Sequence, residues 1–324
     1  MSDLLYEHCL ICPKKCGVNR KTGSVGACGE TSTLRIAWAG LHFGEEPPIS
    51  VTGGSGTIFI TGCNLGCKFC QNFQISQKGM GKEISTSDFA SLCLRLQTAG
   101  AENINIVTGS HATPKLAEAL QQAINTGLKI PIVWNSSAYE LPETIELLNG
   151  IVSIWLPDLK TLNTKIACNI FRDTHYPQIA KNAILKMCKH SQLEFKKTNT
   201  GENKMTSGVI VRHLALPARI DDSKSVLKWF AENLKTKALL SLMTQYTPVE
   251  KNDSSKKIRL FENRLLSKHE DAALRKILTE LKIDNGFYQM LEPDYSWLPD
   301  FNRAQTFSSE LSKPIWHWKY GFIK

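Results

Sequence analysis

This sequence predicts an α/β fold built on a parallel sheet, on three observations. Six short apolar runs alternate with helical patterns between residues 57 and 246, the pattern of strands joined by helical crossovers. A glycine-punctuated cysteine loop follows directly on the first of those runs. No apolar stretch approaches the roughly 18–20 residues of a membrane span.

The elements follow in order. Residues 57–60 (Thr-Ile-Phe-Ile) read as a buried strand, and the glycine run before them, without a Gly-Lys-Ser/Thr ending, as a turn. Residues 85–100 form a helix with a Ser/Thr cap, and 103–107 a strand. Thr113-Pro114 opens a helix in which Leu116, Leu120 and Ile124 recur at helical spacing. Strands at 130–134 and 151–156 flank a helix at 140–148. A helix at 176–189 places Ile184 and Met187 in the core, and the polar, lysine-rich stretch 192–207 reads as an exposed loop. A strand at 208–216, a helix at 223–234 and a strand at 238–246 complete the alternation; 265–283 adds a helix. Three units result: a cysteine-rich module at 1–52, the α/β body at 53–250, and a C-terminal extension at 251–324 whose aromatics pack it onto the body.

The formal charge of +9 raises the question of nucleic acid. The lysines are scattered, however, and their densest cluster falls in the predicted loop, so a solvated basic surface is the better account and argues against nucleic-acid binding. Residues 1–8 carry acids and no apolar signal core, and ten cysteines without a signal segment read as reduced thiols used on metals. The expected location is cytoplasmic, with no membrane partner.

Cys63, Cys67 and Cys70 stand at C-x3-C-x2-C. Thiolates bind iron–sulfur clusters, and three of them on a cubane leave one iron open for chemistry; a zinc knuckle or three core thiols is the bland alternative. Gly62 and Gly66 permit the tight backbone that lets three sulfurs converge. Upstream, Cys9, Cys12, Cys16 and Cys28 offer four thiols, enough for a closed second site holding zinc or a second cubane, structural or electron-relaying.

With Phe69 before the last cysteine, the loop resembles that of the radical S-adenosylmethionine superfamily. Taken with Cys-Leu-Ile-Cys-Pro at 9–13, His-Phe-Gly-Glu-Glu-Pro-Pro at 42–48 and Gly-Ser-Gly-Thr-Ile-Phe at 54–59, the chain is similar to the uncharacterised group of pyruvate formate-lyase-activating-enzyme homologues. The resemblance implies a partial (β/α)6 TIM-like barrel, a [4Fe-4S] cluster on Cys63, Cys67 and Cys70, and S-adenosylmethionine chelated by the open iron. Cleavage then gives a 5′-deoxyadenosyl radical that abstracts hydrogen, with an electron donor such as flavodoxin or ferredoxin. Cofactor contacts are expected from Phe69 and from the strand ends at the barrel's C-terminal edge. Many relatives hold the ligand's amino group with Gly-Gly-Glu, where this chain has Thr108-Gly109-Ser110; Thr108, Ser110 or a backbone carbonyl takes that role. Asn135 and Ser136 suit ribose hydroxyls or the carboxylate. Asp158-Leu159-Lys160 resembles the Asp-Leu-Lys of glycyl-radical activating enzymes, in which the lysine answers the carboxylate and the acid lies beside the ligand. Arg212 and His213 point opposite ways in their strand; one of them enters the site, and His213 is counted among the cofactor-binding residues.

The expected function is hydrogen abstraction from a protein or peptide, glycyl-radical activation included. Six strands leave the barrel edge open to an extended chain, with Trp297, Trp316 and Trp318 as lid or rim. The alternatives are radical modification or rearrangement of a small molecule and, because Gly-Gly-Glu is missing, a non-catalytic metal-bound binding protein.

Overall fold

The computed structural model describes residues 4–249, 261–291 and 298–323. The six predicted parallel strands are all present: β2 (Ser55–Ile60), β4 (Ile104–Val107), β5 (Ile132–Ser136), β6 (Ile154–Pro157), β8 (Asn203–Leu214) and β9 (Leu239–Met243). They pair in that order, in parallel. The remaining strands are β1 (Arg35–His42), β3 (Lys82–Glu83), β7 (Glu194–Lys197), β10 (Gly286–Tyr288), β11 (Ser312–His317) and β12 (Gly321–Phe322). The sheet runs β10-β9-β8-β6-β5-β4-β2-β1-β11-β12 and does not close on itself. No helix among the described residues is long and apolar enough to cross a membrane.

Strands buried on both faces read as near-continuous apolar runs, and β2 and β4 are buried throughout. On one face, Ile58, Ile106, Trp134 and Trp155 meet the helices Thr86–Thr98, Thr113–Asn125 and Tyr176–His190 through Leu92, Leu96, Leu116, Leu120 and Ile184. Each such side chain stabilises the fold by roughly 1.5–3 kcal/mol on burial. The predicted cap is Ser85, whose hydroxyl accepts from the Asp88 N–H at 3.0 Å. On the concave face, Val133, Ile154, Leu156, Ile210 and Leu239 form a second cluster with Ile49.

Three elements differ from the sequence expectation. Residues 192–207 hold a hairpin, β7 paired antiparallel with the start of β8; its strand face is exposed, so it leaves no apolar alternation to read. The sheet also crosses both expected unit boundaries. β1 is antiparallel to β2, and β11 adds to β1, while β10 extends the parallel run beside β9. The extension thus starts at one sheet edge and ends near the other. On the way it seats Phe301 and Phe307 against Trp38 and Phe59, and Trp316 and Trp318 pack on the core clusters. Trp297 lies outside the described residues.

Candidate functional site

The cysteine loop begins where β2 ends, at the C-terminal edge of the parallel strands. Gly62 (φ 85°) and Gly66 (φ 62°) are both left-handed, as a tight loop demands. A Cβ at Gly62 would stand 2.4 Å from Glu30 Cγ and 3.0 Å from His111 Nε2, so the position is closed to any side chain. The loop is tied on every side. Asn64 Nδ2 donates to the Tyr139 carbonyl (3.0 Å) and Gln77 Nε2 to that of Cys67 (2.9 Å). Phe69 is a wall residue, packed edge-on to Tyr246 and Phe261 at 6.0 Å each.

All ten cysteines are free thiols. Leu65 N–H donates to Cys63 Sγ at 3.4 Å, and Cys70 Sγ lies 3.3 Å from Ser76 Oγ. Burial pushes the thiols of Cys63 and Cys67 up and the neighbouring sulfurs push the same way; Lys160 opposes them. Such a set ionises where further positive charge is bound, which is the chemistry of cluster ligands. Among the described residues no three Cys, His, Asp or Glu side chains form a ready-made ion-holding group; the fit to a cubane rests on this donor set.

Lys160 faces the loop. Its Nζ lies 2.6 Å from Asp158 Oδ2. Burial works against its charge, but Asp158 and the facing Cys67 prevail and hold the ammonium well above its usual range. The Lys160 N–H donates to the Tyr176 hydroxyl at 3.0 Å, and that hydroxyl lies 2.8 Å from the Asp158 carbonyl. The pair is therefore fixed at the end of β6, with charge presented to the cysteines.

The other expected contacts divide into two groups. Ser110 Oγ (2.9 Å), Ser136 Oγ (2.8 Å) and Trp134 Nε1 (2.6 Å) all donate to the carboxylate of Glu140, a residue only 2% exposed. Both serines are committed to the protein. Thr108 and Asn135 are half-buried, and the Thr108 N–H donates to the Asn135 carbonyl at 2.9 Å. Thr108 also sits at φ 66°, a conformation a β-branched residue adopts at a cost of about 1–3 kcal/mol and one concentrated at functional sites. Thr108 and Asn135 are the two better placed to meet a ligand.

His213 is buried, with Nδ1 donating to the Leu159 carbonyl (2.8 Å) and Nε2 accepting from Ser223 Oγ (2.9 Å). Both ring nitrogens are occupied, so it acts on the site through the backbone between Asp158 and Lys160. The other member of that pair, Arg212, meets Glu45 and Glu46 of the 42–48 run; Asn105 Nδ2 joins them at Glu45 (2.8 Å). His111, also buried, donates from Nε2 to the Thr61 carbonyl at 2.8 Å; burial, with Arg20 second, drives its pKa down to about 3 and keeps it neutral.

Sequence reasoning missed Glu140, reading it as a helix start; its signal was an acid closing the polar run 135–140. Replacing Glu140 with Ala is expected to destabilise the fold by about 3 kcal/mol, because three buried donors each lose about 1 kcal/mol. Thermal unfolding measures this, and an unchanged midpoint would remove Glu140 from the account.

The profile of the Radical SAM superfamily matches residues 57–199. The chain is 30% identical over 252 residues to the uncharacterised protein MJ0674 of Methanocaldococcus jannaschii, covering 75% of this chain and 67% of that one. Among solved structures it is similar to Streptococcus suis SuiB bound to S-adenosylmethionine, with a TM-score of 0.46, 11% identity and 71% of this chain covered. It spans about half of SuiB's length (48%). A radical SAM methyltransferase from Sphaerobacter thermophilus gives a TM-score of 0.43 at 14% identity, over 72% of this chain and 66% of that one. On the cysteine loop that closes β2, the profile match around it and the relative aligned across most of its length, the chain belongs to the radical SAM superfamily.

Proposed function

We propose that this protein abstracts hydrogen from a protein or peptide by means of S-adenosylmethionine bound between the Cys63–Cys70 loop and the ends of β4, β5 and β6. Membership in the superfamily supports radical SAM catalysis and implies a [4Fe-4S] cluster and S-adenosylmethionine. When bound, the cluster supplies the electron that cleaves the sulfonium. The chain's own residues do the rest. Cys63, Cys67 and Cys70 hold the cluster, and the Lys160 ammonium, fixed by Asp158, answers the methionyl carboxylate. Thr108 and Asn135 offer polar groups to the amino and ribose parts, while Glu140 holds the two loops beneath them.

The observation that carries this reading is the Asp158–Lys160 pair beside the buried cysteines. Replacing Lys160 with Met removes one charge-assisted hydrogen bond, worth about 1.5–3 kcal/mol, and is expected to weaken S-adenosylmethionine binding roughly 10- to 150-fold with the cluster retained. Calorimetric titration of the reconstituted protein reads it; undiminished affinity would make the pair structural.

A protein or peptide substrate, glycyl-radical activation included, is supported by the open sheet, whose ends β10 and β12 do not meet. A small acidic carrier such as flavodoxin or ferredoxin suits the net charge of +9. A small-molecule substrate is the second reading, favoured by a cavity of about 370 Å³ beyond the end of β9, lined in part by Thr244, Thr247, Leu265 and Met290. A doublet electron-spin signal on a partner protein selects the first reading; deuterium transfer from a labelled metabolite selects the second.

A further inference from the structure

The N-terminal cysteines are brought together by their own backbone. Cys9 N–H donates to the Val18 carbonyl (3.0 Å), Gly17 N–H to that of Cys9 (3.0 Å) and Lys15 N–H to that of Cys12 (2.9 Å), forming a knuckle. The Ala27 N–H then donates to Cys16 Sγ at 3.3 Å, laying the arm that carries Cys28 across it.

Within this module Arg20 is 2% exposed. Its guanidinium donates to three carbonyls: Glu30 (3.1 Å), Thr31 (2.6 Å) and His111 (2.7 Å). One face lies 4.6 Å from the Tyr6 ring centroid, and Nη1 lies 3.8 Å from Cys9 Sγ. Carbonyls and a ring carry no net charge. The carboxylate of Glu30 is taken by Arg35 at 3.1 Å, and among the described residues no other carboxylate pairs with Arg20. A buried cation without a counter-charge costs several kcal/mol, so the compensating charge must come from the sulfurs. Four thiolates around Zn²⁺, or around a [4Fe-4S]²⁺ core, carry a net charge of −2 in simple charge counting.

We propose that Cys9, Cys12, Cys16 and Cys28 close around one zinc ion or one cubane as an anionic tetrathiolate centre, that Arg20 is its buried counter-cation, and that the centre props the radical loop. The prop is physical. The Cys28 carbonyl accepts from the Cys63 N–H at 3.3 Å. Arg20 holds the His111 carbonyl, and His111 in turn holds that of Thr61, two residues before Cys63. The metal centre stands independently of the radical reading; its effect on Cys63 rests on that reading.

Anaerobically purified protein with Cys63, Cys67 and Cys70 changed to alanine isolates the module, with circular dichroism confirming the fold. It is expected to retain about one zinc or about four irons per chain. Adding Cys9→Ser and Cys12→Ser should remove them. Arg20→Lys should hold the metal against a chelator, whereas Arg20→Gln should release it at least about tenfold faster, the loss of one charge-assisted contact. The wild-type chain gives a second count: about eight irons, or about four irons with one zinc, supports the centre. About four irons alone overturns it, as does a folded triple-alanine protein without stoichiometric metal. Equal release from Arg20→Gln and wild type overturns the counter-cation role. Cleavage of S-adenosylmethionine by the wild-type protein judges the radical reading separately.

Discussion

Changing Cys63, Cys67 and Cys70 together to alanine is expected to reduce 5′-deoxyadenosine formation to background while the chain stays folded. The loop keeps its shape without the sulfurs, because its ties run through Asn64 to Tyr139 and through Gln77 to the main chain of Cys67. What disappears is the set of thiolates at the end of β2. Chromatography with mass detection of the nucleoside, beside an iron count, checks it. Cleavage that survives the triple change would place the reactive centre elsewhere in the chain.

Arg212→Met is expected to produce the largest loss of stability, about 3–5 kcal/mol, because it leaves Glu45 and Glu46 buried without their cation. The change should also reverse the pH dependence. In the wild type, burial pushes the Glu46 carboxyl up, but the Arg212 guanidinium and its hydrogen bonds prevail and hold it below its ordinary 4.5. A depressed acid contributes stability that is present above its unfolded pKa and lost as pH falls through the folded one. Without Arg212 the burial effect stands alone and the folded pKa lies above the unfolded value. Stability is then lost as pH rises. Thermal unfolding at pH 5 and pH 7.5 separates the two: the variant should melt higher at the lower pH, whereas the wild type should not. A variant that melts within about 1 kcal/mol of wild type at both would show the cluster to be dispensable.

The parallel strands were legible because burial on both faces leaves nothing to encode but apolar runs, as in 57–60 and 104–107. The cysteine loop was legible because ligand spacing is local. The β7–β8 hairpin was not, since main-chain bonds hold its exposed lysine-rich face. Nor was the pairing of β11 with β1, which joins Ser312 to His42 across most of the chain. Arg212 and His213 show the limit of alternation. Period two says that they diverge, but not which one meets a ligand, and only the position of Glu45 and Glu46 decides where Arg212 goes. Arg20 and Glu140 were missed for a related reason. Each is a charge whose partners come from other segments, His111 for one and Ser110 for the other.

The most direct test of the central claim is anaerobic reconstitution of the unaltered chain with iron and sulfide, followed by reduction in the presence of S-adenosylmethionine. Radical SAM chemistry at the Cys63–Cys70 loop predicts 5′-deoxyadenosine and methionine in equal amounts. A reconstituted, reduced protein that binds S-adenosylmethionine and leaves it intact would contradict the account.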